Sequence, residues 1–90
     1  MNKPQGKIDL MYFSASWCGP CKMMKPLIDN FININSDKVN LMKIDVDSDR
    51  HLAQAYGINS VPSFIVLKNG NMVDRFNGMV SQSRLNQILN

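Results

Sequence analysis

The sequence contains no glutamate, a single histidine, a single tryptophan and only two cysteines in 90 residues. One cysteine pair cannot supply the disulfide framework of a secreted mini-protein, so any thiol chemistry must centre on Cys18 and Cys21. With His51 as the sole histidine and no second cysteine pair, the four ligands of a usual zinc site are not assembled, and no metal is expected. No apolar run approaches the ~20 residues that span a membrane. The opening stretch Met1 to Lys7 (MNKPQGK) is polar and lacks a signal-peptide pattern. These absences predict a soluble, unexported, cytoplasmic chain with no membrane partner. Ten Lys and Arg against seven Asp give a net charge of +3, but the basic residues are spread along the whole chain. Nucleic acid requires a clustered basic stripe, so it is not an expected partner. Nothing in the chemistry explains why every acid is an aspartate.

Against those absences stands a hydrophobic fraction of 44%. That is enough for one real core and too high for intrinsic disorder. With no repeat, low-complexity tract or linker, residues 1–90 read as a single domain. Residues 8–14 (IDLMYFS) read as a mostly buried strand. Gly19 and Pro20 break it and lead into a helix from Cys21 to about Asn35, with Met24, Leu27, Ile28, Phe31 and Ile34 at three- and four-residue spacing. Pro26 is expected to kink that helix. Residues 39–45 (VNLMKID) form a second strand, parallel to the first through a right-handed crossover.

Ser48 or Asp49 caps a short helix with Leu52, Ala55 and Tyr56 on one face, stopped by Gly57. Residues 63–67 (SFIVL) and 72–76 (MVDRF) pair as an antiparallel hairpin around Asn69-Gly70. A last helix after Ser81 turns Leu85, Ile88 and Leu89 inward. The expected fold class is α/β: a four-stranded mixed sheet, βαβ then ββα, with helices on both faces.

Cys18-Gly19-Pro20-Cys21 falls at the first strand-to-helix junction, and this placement matters more than the spacing. Cys18 is placed at the helix N-terminus, where free N–H groups and the positive end of the dipole stabilise a thiolate. Lys22 adds a nearby cation. Cys21 lies within the first turn, so it is expected to be less accessible and to serve as the resolving thiol. A thiolate attacks a disulfide to give a mixed disulfide, and a neighbouring thiol then releases it.

The run Ser14-Ala15-Ser16-Trp17-Cys18-Gly19-Pro20-Cys21-Lys22 is similar to the active site of thioredoxins. Lys43-Ile44-Asp45-Val46-Asp47, Tyr56-Gly57-Ile58, Val61-Pro62-Ser63, Phe64 and Lys68-Asn69-Gly70 also fall where that family has their counterparts. The match runs from about Lys7 to the C-terminus. The resemblance implies a thioredoxin-like fold and a dithiol–disulfide oxidoreductase that reduces protein disulfides, with no cofactor beyond the Cys18–Cys21 pair itself. Its implied partners are disulfide-containing protein substrates and an electron donor such as a thioredoxin reductase. It further implies that Pro62 follows a cis peptide bond and packs beside the cysteines. Val61 would offer its backbone to an extended substrate segment. Trp17, Gly19, Pro20 and Gly78 would complete a shallow apolar groove. The Gly-Pro spacer belongs to the reducing members of the family.

Two departures stand out. The family usually has a further strand and helix before the strand ending at Ser14, whereas about seven residues precede Ile8 here, so that unit is expected to be absent. Residues 39–45 then become a sheet edge, only partly protected by Lys43. The expectation is mainly a monomer with weak self-association at high concentration, or an edge covered by residues 1–7. Secondly, most thioredoxins carry a buried aspartate six positions before the first cysteine, where this chain has Tyr12. A phenol with a reference pKa near 10 stays neutral at pH 7 and cannot be the same base. Tyr12 is then either simple aromatic packing or a participant in proton transfer, with the proton leaving through water, the departing Cys18 thiolate or a group near Lys43. Two other function classes remain open: a binding module or scaffold that uses the same groove, and a glutathione-fed, glutaredoxin-like reductase. The Gly-Pro spacer and the lack of a compelling basic pattern argue against the second.

Overall fold

The computed structural model describes residues 7–90. β1 (Ile8–Ser14) is buried at every position but the last. It lies inside the sheet, with β2 (Val39–Asp45) parallel on one side and β3 (Ser63–Lys68) antiparallel on the other. β4 (Asn71–Asn77) lies outside β3, so the order is β2-β1-β3-β4. A strand flanked on both edges and covered on both faces is mostly apolar, which is why β1 reads as a hydrophobic run broken only by Asp9, whose buried carboxylate accepts from the Asn40 side-chain amide at 3.2 Å. The β3–β4 turn places Asn69 and Gly70 at φ of 53° and 82°. Two successive left-handed residues match the twist of a two-residue hairpin, and Asn-Gly tolerates that conformation best.

α1 (Gly19–Ile34) follows β1, α2 (Arg50–Ala55) follows β2, and α3 (Gln82–Gln87) closes the chain. Asp49 caps α2 by accepting from the Leu52 N–H at 3.4 Å, and Ser81 caps α3 by accepting from the Arg84 N–H at 3.2 Å. α1 runs helically through Pro26. Alternate β1 side chains serve opposite faces. Leu10 and Tyr12, with Phe64 and Val66 of β3, pack with Met24, Ile28 and Phe31 of α1 and with Leu85 of α3. Met11 and Phe13, with Ile44 and Ile65, pack on Ala53 of α2, bordered by Leu52 and Tyr56. Helices thus cover both faces of a four-stranded mixed sheet, as expected.

Two core positions differ from expectation. Ile34 is 65% exposed. The buried stripe of α1 continues from Phe31 by a step of four to Asn35, whose side-chain amide donates to the Phe31 carbonyl at 2.9 Å. A polar residue takes the inward place there because it satisfies a helix-end carbonyl. On α2, Ala53 is buried and Ala55 exposed. Leu52, Ala53 and Tyr56 are the side chains that pack toward the sheet.

Among the described residues β2 is a sheet edge, as expected. Its cover by residues 1–7 concerns a segment that, Lys7 apart, lies outside the described residues. Among the described residues, no helix is long and apolar enough to cross a membrane.

Candidate active site

β1 ends at Ser14, and a short loop carries the chain into α1. The Cys18 N–H donates to the Ala15 carbonyl at 3.1 Å, closing that loop. Cys18 is the N-cap of α1, in extended conformation, and its Sγ accepts from the Cys21 N–H at 3.1 Å. The two cysteines are joined as a disulfide, with Cα atoms 5.3 Å apart. One backbone N–H of the first turn, that of Cys21, therefore points at the Cys18 sulfur, while the Lys22 N–H donates to the Cys18 carbonyl at 3.3 Å. The Cys21 N–H favours a negative sulfur there once the bond is reduced.

In this oxidised form Cys18 and Cys21 are 3% and 5% exposed. The expected difference in whole-residue exposure is therefore not found, because the disulfide tucks both side chains against the core cluster. What differs is their surroundings. Cys18 lies between the exposed residues Trp17 and Gly19, at the mouth of the helix. Cys21 sits one turn in, on the wall of a cavity.

Trp17 is 68% exposed, and its indole N–H donates to Asp47 Oδ2 at 2.8 Å. Asp45 Oδ1 accepts from the backbone N–H groups of Asp47 and Ser48 at 2.8 and 3.3 Å, which fixes the loop presenting Asp47. Trp17 and Val61 line one cavity of about 150 Å³ together with Val46, Ile58, Asn59 and Ser60. The Val61–Pro62 peptide bond is cis. The Pro62 carbonyl accepts from the Gly78 N–H at 2.8 Å, and Gly78 holds φ at 80°, a conformation that disfavours other residues. Gly19 and Pro20 open α1 as exposed residues. The loop tips before α1, before β3 and after β4 are thus gathered at one end of the sheet.

A family model described as Thioredoxin matches residues 2–90. The chain belongs to the thioredoxin family. It is 38% identical to the thioredoxin of Bacillus subtilis over 78 residues, covering 87% of this chain and 75% of that protein. It is 36% identical to thioredoxin 1 of Nostoc over 80 residues, covering 89% and 75% respectively. The solved thioredoxin of Fasciola hepatica superposes with a TM-score of 0.86 at 30% identity, covering 94% of this chain and 80% of that one. The chain is accordingly a thiol–disulfide oxidoreductase. Thioredoxins work without a cofactor, and among the described residues no cluster of three or more His, Cys, Asp or Glu is placed to hold a metal.

Behind the disulfide lies a second cavity of about 210 Å³, lined in part by Tyr12, Cys21, Lys22, Lys25, Asp29 and Lys43. Lys43 enters from β2, where it pairs in register with Tyr12. The Tyr12 hydroxyl donates to the Cys21 carbonyl at 3.2 Å, and its ring stacks on Phe64 with centroids 5.2 Å apart. Burial, and then the charge of Asp29, push the Tyr12 pKa up, so the phenol is neutral at working pH. The packing expected of Tyr12 is found: its ring stacks on Phe64, and its hydroxyl holds the Cys21 backbone rather than a thiol.

Asp29 pairs with Lys25 at 2.7 Å and with Lys43 at 3.9 Å. Its pKa is lowered, chiefly by the Lys25 hydrogen bond and further by the charges of Lys25 and Lys43, with desolvation opposing. Asp29 and Asp47 are the two contributors that the sequence reading missed. For Asp29 a signal existed, since Cys21, Lys25 and Asp29 recur at four-residue spacing along one helix face. For Asp47 the signal was its place in the matching run Lys43 to Asp47, but its pairing with Trp17 could not be read, because the two lie 30 residues apart.

Tyr12→Phe keeps the stacked ring and removes one hydrogen bond. It is expected to cost about 0.5–1.5 kcal/mol of stability in urea unfolding. The rate of mixed-disulfide resolution should stay within about threefold of the parent. A tenfold or larger loss with folding unchanged (about 1.4 kcal/mol of barrier) would assign the hydroxyl a direct part in the chemistry.

Proposed function

We propose that the chain reduces disulfide bonds in protein substrates through its Cys-Gly-Pro-Cys dithiol. The observation that carries this reading is the Cys18 sulfur at the N-cap of α1, accepting the Cys21 N–H while bonded to Cys21. In the reduced protein the Cys18 thiolate attacks a substrate disulfide, forming a mixed disulfide and releasing one substrate thiolate, which takes up a proton. Cys21 then attacks Cys18, closes the Cys18–Cys21 bond and releases the second substrate thiolate. Two electrons pass to the substrate, and a reducing partner returns them.

In this reading Val61 presents its backbone to an extended segment of the substrate, beside Pro62. Trp17, Gly19, Pro20 and Gly78 form the shallow apolar surface around Cys18. The hydrogen bond from Trp17 to Asp47 supports that arrangement by fixing the indole. Lys22 and Lys43 tune the thiols. The protein acts as a single domain over residues 1–90, mainly monomeric, in the cytoplasm, with a thioredoxin reductase as electron donor. The edge position of β2 among the described residues supports weak self-association at high concentration.

Insulin-disulfide reduction with three donors tests this directly. Turnover is expected with dithiothreitol and with a thioredoxin reductase system, and little with glutathione. No acceleration over dithiothreitol alone would refute the reading and leave a binding module in its place. Preference for glutathione would make the chain glutaredoxin-like.

A further inference from the structure

Next to the cavity that Trp17 and Val61 share lies a polar one of about 200 Å³, lined by Gly57, Asn59, Ser63, Arg75, Phe76 and Asn77. Asn59 lines both, so the two cavities adjoin along the loop from α2 to β3. Ser63 and Asn77 are cross-strand partners in β3 and β4, as are Ile65 and Arg75. Residues two apart on a strand share a face, so Arg75 and Asn77 lie with Ile65 on the α2 side of the sheet. The wall they form is tied down. The Ser63 hydroxyl donates to the Ser60 carbonyl at 2.6 Å, and the Asn77 amide donates to the Ser60 hydroxyl at 3.3 Å. Ser60 lines the Val61 cavity, so this residue links the polar cavity to the stretch that presents Val61.

Arg75 is the single charged residue lining the polar cavity. It is exposed, and its guanidinium donates one N–H to the Gly57 carbonyl at 3.5 Å, a long bond. An arginine carries five such donors. Among the described residues no carboxylate pairs with Arg75, whereas Arg84 is held by Asp74 at 2.8 Å. An accessible guanidinium with donors to spare, set among amides and a hydroxyl with no acid, is suited to receive a carboxylate.

We propose that Arg75 is a specificity residue that takes an acidic side chain of the protein substrate, a few residues along from the cysteine under attack. The inference rests on the disulfide-reductase reading and specifies which substrates that site favours. A segment laid along Val61 meets the Trp17 cavity, and Asn59 leads from there to the guanidinium. Side chains of an extended segment alternate between its faces, so only alternate positions can reach Arg75. Arg75 touches no reacting atom. It holds the segment while Cys18 attacks.

The other charges near the groove do not make this contact. Asp47 is engaged by the Trp17 indole, and Asp45 by the Asp47 and Ser48 N–H groups. Lys22, Lys25 and Lys43 line the cavity behind the disulfide instead.

The test uses the reduced full chain and short peptides whose one cysteine is joined by a disulfide to a coloured aromatic thiol. Cys18 attacks the peptide sulfur, the bond to the aromatic sulfur breaks, and the coloured thiolate leaves with the electron pair. Glutamate is placed in turn at each of the nearer positions on either side of the cysteine, with a glutamine peptide as its match. Each rate constant is divided by that of the same peptide with dithiothreitol, which removes intrinsic reactivity. In the parent, glutamate should outrun glutamine about fivefold at one position or at two alternate ones. Arg75→Gln should remove that preference. Arg75→Lys should keep part of it, because the charge stays and the fork is lost. Arg75→Glu should invert it, so that a lysine peptide reacts faster than glutamine at the same position.

A merely structural role at the Gly57 carbonyl would not invert a preference for substrate charge. A glutamate preference at every position, unchanged in Arg75→Gln, would assign it to the overall charge of +3 and overturn the proposal. A position-specific preference that survives Arg75→Gln would overturn it too, as would no preference in the parent. Absence of colour release from every peptide in the parent would instead remove the reductase reading itself, and the proposal with it.

Discussion

Cys18→Ser is expected to abolish disulfide reduction, while Cys21→Ser attacks once and then stalls, leaving the substrate attached to Cys18. The asymmetry follows from where the two sulfurs stand. Cys18 receives the Cys21 N–H at the mouth of α1, so a negative charge on its sulfur is stabilised there before any substrate arrives. Serine at that position cannot supply a nucleophile at neutral pH. Cys21 lies a turn inside, with its carbonyl held by Tyr12 and its flank on the lysine-lined cavity, suited to attack a bond already formed at Cys18. Intact-protein mass spectrometry should therefore show the substrate adduct on Cys21→Ser and none on Cys18→Ser. The opposite pattern would exchange the two roles.

Phe64→Ala carries the largest expected stability effect. Phe64 is fully buried, and its ring lies between those of Tyr12 and Phe76, with centroids at 5.2 and 4.8 Å. The column continues to Arg84, whose guanidinium sits 4.1 Å from the Phe76 centroid. Truncating the middle of such a stack leaves a cavity that its neighbours cannot fill, at a cost of about 3–5 kcal/mol. Domains of this kind hold about 5–15 kcal/mol in total, so the variant should melt roughly 15 °C or more below the parent. Urea unfolding at an unchanged denaturant slope would measure it. A loss below about 1.5 kcal/mol would mean that the column is not the keystone of this face.

Most of the fold was legible in the sequence because its signals are local or periodic. IDLMYFS has the composition of a strand buried on both faces, Asn69-Gly70 marks a hairpin, and Met24, Ile28 and Phe31 keep helical spacing. The misplaced residues lie at helix ends, where periodicity loses to capping. Asn35 turns inward because it satisfies a carbonyl, and Ile34 turns out. On α2 Ala53 rather than Ala55 joins Leu52 and Tyr56 toward the sheet, a choice between two small residues that spacing alone does not make.

The candidate site was legible in a different way. The cysteines, Trp17 and Pro62 were recognisable by motif, and the cis bond before Pro62 by resemblance. The pairings that support them were not. Trp17 with Asp47, Tyr12 with the Cys21 carbonyl, and Lys43 with Asp29 join residues far apart in the chain, so only the folded sheet brings them together.

The central claim, that Cys18 is the nucleophile and Cys21 the resolver, is tested most directly by alkylating the reduced protein at mildly acidic pH. Peptide mapping at short times reports which thiol ionises and reacts first. The geometry at the N-cap predicts Cys18 labelled about tenfold or more faster than Cys21. Equal labelling, or faster labelling of Cys21, would contradict the account.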